Sequence, residues 1–212
     1  MKHIVFDIET IPQDEARLLA LAPEFTAPAN FKDPAKIEAV IAKKRADYLL
    51  DAALNWKTAE IVLIGAGDDT LIQSFDAVSE KELIDGFLTL LAGALGDGVV
   101  VGGHNVKGFD LPMLINRARV HGLAIPRGIL SSWRGRPQWH DNLFDTLEIL
   151  SFGRAFEGNG VDDVARAFGL PPKLGHGGAF PALWRADRAG AIAYNRRDVE
   201  IEIEIARICG CI

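Results

Sequence analysis

The sequence has few cysteines, no long apolar run and no excess of positive charge. Its two cysteines, Cys209 and Cys211, stand at the carboxyl end without histidines nearby, which excludes a disulfide framework and argues against a zinc site. No run reaches the roughly 18 apolar residues that a transmembrane helix needs. The formal net charge of −6 argues against binding to nucleic acid through a broad basic surface. It is compatible with binding phosphates through divalent cations, because metal-binding acids themselves lower the net charge.

The length and composition are those of one globular domain. The chain has 212 residues, of which 49% are hydrophobic and 25% are charged, so it can bury a core without disulfides. We therefore expect a single domain over residues 1–212. Because a predicted strand begins at residue 2, we expect no cleavable signal peptide and a cytoplasmic, reducing location.

An apolar strand near the amino terminus ends in two acids, Asp7 and Glu9. Successive side chains of a strand alternate between its faces, so these acids point one way while Phe6 and Ile8 point into a core. Burying two like charges is costly unless a cation joins them, which favours a site with oxygen ligands for Mg²⁺ or Mn²⁺. The alternative at this stage is two solvated acids at the end of a strand.

Two further strands complete a predicted antiparallel meander. The apolar run at 60–67, the turn Asp68-Asp69 and the run at 70–75 follow the strand at 2–9 in that pattern. Residues 13–55 are rich in Ala, Leu, Lys and Glu, and we interpret them as a mostly helical insertion. Its basic run, Lys43 to Arg45, is typical of a solvated helix face.

A central strand is predicted at Val99–Val101, because the run is wholly apolar and lies between helices. The loop after it leads to Asp110, which stands beside the start of the next helix. Asp110 is therefore either a third acid of the site or a helix cap. We interpret Asp145 and Glu148, later in the chain, as caps or surface acids.

The last predicted helix, at about 187–209, carries a tyrosine and a further acid. Tyr194 and Asp198 are four residues apart and therefore share one face, a turn from each other. Three glutamates alternate with isoleucines in the same helix, and we expect them to be exposed: Glu200, Glu202 and Glu204.

Two further segments precede this helix. Residues 125–130 are a candidate for an additional strand. The segment Trp133–Trp139 places two arginines between two tryptophans, which fits either stacking and phosphate contacts with a nucleic-acid strand or a loop held by its tryptophans.

Three stretches taken together resemble the exonuclease motifs of the DEDD superfamily of 3′–5′ exonucleases. They are Phe6 to Thr10, Asn105 to Asp110, and Tyr194 to Asp198. The chain is most similar to the stand-alone group that resembles the proofreading domain of B-family DNA polymerases, and the resemblance runs from residue 2 to about 208. It implies an α/β, ribonuclease H-like fold with a mixed five-stranded sheet flanked by helices.

The resemblance also implies roles for individual residues. Asp7 would bridge two metal ions, Mg²⁺ or Mn²⁺, and Glu9 and Asp198 would complete the shell of the first. Asp110 would support the second ion, and Tyr194 would orient the attacking water.

Tyr194 also implies the tyrosine branch of the superfamily. The other branch has a histidine five residues before the last acid, and this chain has Ala193 there. The nearest upstream histidine, His176, has the wrong spacing.

Substrate contacts are implied for the residues beside the acids, namely Thr10, Asn105 and Phe109. Lys107 and Lys173 are either contacts to a nucleic-acid strand or ordinary surface lysines.

The function implied is a metal-dependent 3′–5′ exonuclease that acts on single-stranded DNA by a two-metal-ion mechanism and releases nucleoside monophosphates. A 3′–5′ exoribonuclease is the alternative, since related enzymes process RNA. A non-catalytic nucleic-acid-binding module is disfavoured by the intact set of acids with Tyr194. No polymerase segment follows in this sequence, so we expect the protein to act alone or with a partner.

Overall fold

The fold is a mixed sheet flanked by helices, seen in a computed structural model that describes residues 2–127, 129, 142–152 and 160–212. The strands are β1 His3–Pro12, β2 Ala59–Gly67, β3 Ile72–Phe75, β4 Val100–Gly103 and β5 Leu143–Asp145. The α-helices are α1 Glu15–Leu21, α2 Pro34–Leu50, α3 Glu80–Gly96, α4 Asp110–Val120, α5 Thr146–Leu150, α6 Val161–Ala167, α7 Phe180–Ala186 and α8 Arg188–Ile208.

The strand order is β3-β2-β1-β4-β5. β1 pairs antiparallel with β2, and β2 pairs antiparallel with β3, which confirms the predicted meander. β4 lies parallel to both β1 and β5, so β1 stands in the middle of a mixed sheet as expected. The carboxyl ends of β1, β4 and β5 therefore meet at one edge of the sheet.

The prediction of a fifth strand at 125–130 was wrong. β5 is Leu143–Asp145, and Leu143 pairs with Val101. Ile125 and Pro126 lie outside any strand, as suits a proline that cannot donate to a strand ladder. We interpreted residues 142–151 as a helix or a strand followed by a helix, since a strand of three residues is too short to show a period of two.

The sheet has an apolar core on each face. Ile4, Phe6 and Ile8 pack towards α3 and α4, where the rings of Phe6 and Phe87 lie 5.3 Å apart. Val5, on the opposite side of β1, packs against Val199 of α8. The alternation along β1 therefore directs Asp7 and Glu9 towards α8.

The helix boundaries follow the capping residues that the sequence contains. The Ser79 side chain accepts a hydrogen bond from the Glu82 amide at the start of α3, as predicted. Asp187 caps α8, and its Oδ1 lies 2.9 Å from the Gly190 amide. Gly122 follows α4 with a φ of 66°, a left-handed conformation that glycine adopts easily.

The segment between β1 and β2 forms a helical arm on the sheet. No residue of α2 is buried, and Lys43 to Arg45 are exposed as predicted. The Tyr48 hydroxyl donates to the Leu18 carbonyl of α1 at 2.9 Å, so the two helices support each other.

Over the residues that the structure describes, no helix combines the length and apolar character needed to cross a bilayer. The Trp133–Trp139 segment lies outside these residues, so its predicted contacts stay a prediction.

Candidate active site

Three acids from the first strand and the last helix meet at the carboxyl end of β1. Asp7, Glu9 and Asp198 each offer a carboxylate oxygen, and these oxygens all lie within 4.8 Å of one another. The pairing of β1 with β2 shifts register between Glu9 and Thr10. Strand alternation supplies the first two acids, and α8 supplies the third from the facing layer.

Burial makes this cluster costly when all three acids are ionised. Burial and the nearby charge of Asp198 raise the pKa of Asp7 to about 7. Burial, Asp7 and Asp198 together raise the pKa of Glu9 well above its usual value. Asp198 Oδ1 is buried and has no hydrogen-bond partner among the described residues. The cluster therefore offers negative charge and a free acceptor to a cation.

Lys173 partly neutralises the cluster. Its Nζ lies 2.6 Å from Asp198 Oδ2 and 5.4 Å from the centre of the Tyr194 ring. Burial lowers the pKa of Lys173, but the charge of Asp198 outweighs this and raises the pKa above the usual value. Arg197 helps to hold the segment before Lys173, because its Nη2 donates to the Pro171 carbonyl at 3.1 Å. Lys173 was expected either to contact a nucleic-acid strand or to be an ordinary surface lysine. The structure places its ammonium group against the acids.

Asn195 is a site residue that the sequence interpretation missed. Its Nδ2 donates to Asp7 Oδ2 at 2.9 Å. The close approach depends on Gly65, which pairs opposite Asp7, because a Cβ there would lie 2.2 Å from Asn195 Oδ1. A glycine inside an apolar strand is a signal of such close contact, and it could have indicated the partner.

Asp110 approaches the cluster from the other side of the sheet. It is the first residue of α4, but Phe109 holds the cap position, without a side-chain hydrogen bond. Asp110 Oδ1 instead accepts a hydrogen bond from the Ile8 amide at 2.9 Å. Burial and the charge of Asp7 raise the pKa of Asp110 well above its usual value. The side chain thus faces Asp7, although it stands outside the group of three oxygens.

The loop between β4 and α4 is held by Asp145. Its Oδ1 and Oδ2 accept hydrogen bonds of 2.9 Å from the amides of Asn105 and Lys107. Asp145 also caps α5, which agrees with its predicted role, but it is buried. Asn105 is left-handed, with a φ of 61°, and Lys107 Nζ pairs with Glu148 at 2.5 Å. Lys107 therefore forms an ion pair within the protein.

The residues expected to contact substrate lie in two different environments. Asn105 and Phe109 line a cavity of about 300 Å³ together with Asp7 and Asp110. The Thr10 hydroxyl donates to the Ala53 carbonyl at 2.6 Å, so this side chain ties β1 to the turn after α2.

Tyr194 stands beside the acids in an aromatic layer. Its ring centre lies 5.8 Å from that of Phe180, and the residue is 3% exposed. Burial and the charge of Asp198 raise the pKa of Tyr194 above the usual value near 10, so the hydroxyl keeps its proton at neutral pH.

The expectation that Glu202 is exposed was wrong. Glu202 is 2% exposed and lines the cavity together with Asp7 and Asp110. The reason is its distance of four residues from Asp198, which places both acids on one face of α8. Glu204, in contrast, is exposed as expected.

A mixed sheet in this order, with acids at the end of its central strand, is the ribonuclease H-like fold of exonucleases. Residues 54–201, more than half of the chain, match the sequence model of a family described as a predicted 3′–5′ exonuclease related to the exonuclease domain of PolB. The chain belongs to this family. The matched residues include Asp110, Tyr194 and Asp198, whereas Asp7 and Glu9 precede them.

A solved structure has the same fold. The family B DNA polymerase from the hyperthermophilic archaeon Pyrobaculum calidifontis is similar with a TM-score of 0.57 and 18% sequence identity. The similarity covers 97% of this chain and 24% of the polymerase chain, so this chain spans about a quarter of that protein. No curated protein sequence gives a significant match.

Proposed function

We propose that this protein is a divalent-metal-dependent 3′–5′ exonuclease that hydrolyses single-stranded DNA from its 3′ end and releases nucleoside monophosphates. The observation that carries the proposal is the cluster of Asp7, Glu9 and Asp198, with oxygens within 4.8 Å of one another and the buried Asp198 Oδ1 without a partner. Carboxylate oxygens are the ligands that Mg²⁺ and Mn²⁺ prefer. The membership of the chain in a family of predicted exonucleases supports the same chemistry.

The acids would divide between two ions. Asp7, Glu9 and Asp198 would hold one, and Asp7 and Asp110 would hold the other, with Asp7 between them. When bound, the ions supply positive charge that stabilises the attacking and leaving oxygens of a phosphoryl displacement.

Tyr194 would orient the attacking water. Since the raised pKa keeps its hydroxyl protonated, it is suited to hydrogen bonding rather than to removing a proton. In the reaction the attacking water releases a proton to solvent, and its oxygen bonds to the phosphorus of the terminal nucleotide. The bond from this phosphorus to the 3′ oxygen of the preceding nucleotide breaks, and that oxygen leaves with a proton from solvent.

The other chain groups would position the reacting strand and the acids. Asn195 fixes the orientation of Asp7 through its amide, and Lys173 limits the repulsion between Asp7 and Asp198. Asn105 and Phe109 line the cavity beside Asp7 and would contact the terminal nucleotide.

The test incubates 5′-labelled single-stranded DNA and RNA with the protein in Mg²⁺, in Mn²⁺ and in chelator. We expect stepwise shortening of DNA from the 3′ end that chelator abolishes, and near-complete loss in Asp7→Asn and Asp198→Asn. Asp85→Asn, on the exposed side of α3, is the matched control and should keep wild-type activity.

Other results of this test have definite meanings. Shortening of RNA in preference to DNA would make the protein an exoribonuclease. Retardation of both strands without shortening would contradict the enzymatic proposal and favour a binding module.

A further inference from the structure

Glu202 is an acid beside the site that the proposed mechanism does not use. It lies one helical turn after Asp198, and each of the two residues is 2% exposed. It lines the cavity that Asp7 and Asp110 also line. The match to the exonuclease family ends at residue 201, just before it.

The carboxylate of Glu202 is held at the end of β4. Its Oε2 accepts a hydrogen bond from the His104 amide at 3.2 Å. Gly103 leaves the space for this contact, because a Cβ there would lie 3.1 Å from Oε2 and 2.7 Å from the Phe6 carbonyl oxygen. The position of the acid is therefore built into the fold.

Within the described part of the chain, no lysine or arginine forms an ion pair with the carboxylate of Glu202. Burial raises the pKa of Glu202 well above its usual value, and the charges of Asp7, Asp110 and Asp198 add to the effect. Burying such a group costs free energy that a neutral side chain would not, unless a cation is bound nearby.

We propose that Glu202 is a fifth acid of the metal site and that its charge strengthens binding of the ion on the Asp7–Asp110 side. The proposal rests on the proposed function, because it requires that the acids bind metal. Five carboxylates less the one ammonium group of Lys173 leave four negative charges, which two divalent cations neutralise. With four carboxylates, Lys173 would leave one cationic charge in excess. The acids in question are Asp7, Glu9, Asp110, Asp198 and Glu202.

The test compares Glu202→Gln with Glu204→Gln, an exposed glutamate on the same helix with its side chain 48% exposed. Calorimetric titration of the full chain with Mn²⁺ alone measures metal affinity. Glutamine keeps an oxygen to accept from the His104 amide, so a purely structural role predicts unchanged binding. We expect Glu202→Gln to weaken Mn²⁺ binding at one of the two sites about tenfold or more, the scale of losses for groups that support metal ligands. Glu204→Gln should bind as wild type does.

Thermal melting gives a second measure that does not depend on activity. In chelator at pH 8, Glu202→Gln should melt at a higher temperature than wild type, because it removes a buried acid. Its gain in Tm on adding Mg²⁺ should be smaller, because it binds the ion less tightly. Glu202→Asp keeps the charge, and its affinity should lie closer to wild type than to the glutamine variant.

Three outcomes would overturn the inference, and they can be told apart. If wild type and Glu202→Gln bind Mn²⁺ equally and gain equally in Tm, Glu202 only anchors His104 and the proposed function stands. If wild type binds Mn²⁺ no better than Asp198→Asn, the proposed metal site fails together with the inference. An aspartate variant as weak as the glutamine variant would also contradict the charge argument.

Discussion

Asn195 of α8 donates a hydrogen bond of 2.9 Å to the Oδ2 of Asp7 on β1, and it does so directly over Gly65 of β2. The bond joins the helix that carries Asp198 to the strand that carries the other two acids of the cluster. The separation of the acids therefore depends on how closely α8 approaches the sheet, and Gly65 is the residue that permits the approach.

Gly65→Ala should separate these two layers. The added Cβ would lie 2.2 Å from Asn195 Oδ1 and 2.8 Å from Val199, so α8 or its side chains must move. We expect kcat on labelled single-stranded DNA to fall at least tenfold and stability to fall by about 1–3 kcal/mol, as overpacking typically costs. Gly86→Ala is the control, because a Cβ there meets nothing within 4 Å. Gly86→Ala should keep the wild-type kcat, and its free energy of unfolding should rise by up to about 1 kcal/mol. Wild-type turnover in Gly65→Ala would contradict the argument.

The stability of the metal-free protein should fall as pH rises from about 4 to about 7. The pKa of Asp7 is raised from 3.8 to about 7, so in this range folded Asp7 keeps a proton that the unfolded chain releases. The free energy of unfolding then decreases by roughly 1.4 kcal/mol per pH unit for one such proton. Urea unfolding in chelator at a series of pH values measures this dependence. The free energy of unfolding should decrease less steeply with pH in Asp7→Asn than in wild type, and as steeply as in wild type in Asp85→Asn. Parallel slopes for wild type and Asp7→Asn would refute the assignment.

Loss of Lys173 should destabilise the site more than loss of an exposed lysine. The side chains of Lys173 and Asp198 are 18% and 3% exposed, so Lys173→Met leaves a buried carboxylate without its counterion. We expect the free energy of unfolding to fall by about 3 kcal/mol at pH 8 in chelator. This value is at the low end of the range for breaking a buried ion pair, because Asp198 can take up a proton. In the control, Lys43→Met breaks an exposed pair with Asp47 and should cost less than about 1 kcal/mol. Equal losses, measured by urea unfolding, would show that the Lys173 pair is no stronger than a surface pair.

Removal of the Tyr194 hydroxyl should affect turnover alone. Tyr194→Phe keeps the ring that packs on Phe180, so stability and Mn²⁺ affinity should stay near wild type. If the hydroxyl orients water, kcat should fall by tenfold or more while KM changes little. Tyr48→Phe, which loses the hydrogen bond to the Leu18 carbonyl, is the control and should retain kcat. A kcat for Tyr194→Phe equal to wild type would remove the proposed role.

Features with a short repeat or a local cap could be predicted from the sequence. The alternation at Phe6–Glu9 correctly placed the two acids on one side of β1, and Ser79 and Asp187 fixed the starts of their helices. The four-residue spacing of Tyr194 and Asp198 correctly indicated one face of a buried helix.

Features that depend on contact between distant segments could not be predicted in this way. Glu202 was expected to be exposed because the alternation with isoleucines spreads the three glutamates around the helix, where charged side chains usually face solvent. α8 packs instead against two layers, with Val199 towards the sheet and Ile201 towards α6, so a polar residue between them is enclosed. The ion pair of Lys173 with Asp198 is likewise tertiary, and nothing in the sequence around Lys173 indicates it.

The pairing of Pro12 with Ala59 closes the helical arm between β1 and β2 at its base, where the Gln13 amide also donates to the Thr58 carbonyl. A short hairpin turn could join the same two strand ends. Because the free-energy cost of closing a loop grows slowly with its length, the arm can become longer or shorter with little change in stability. The arm is therefore the natural place for related proteins to diverge, and for an engineer to graft a new recognition module beside an unaltered acid cluster.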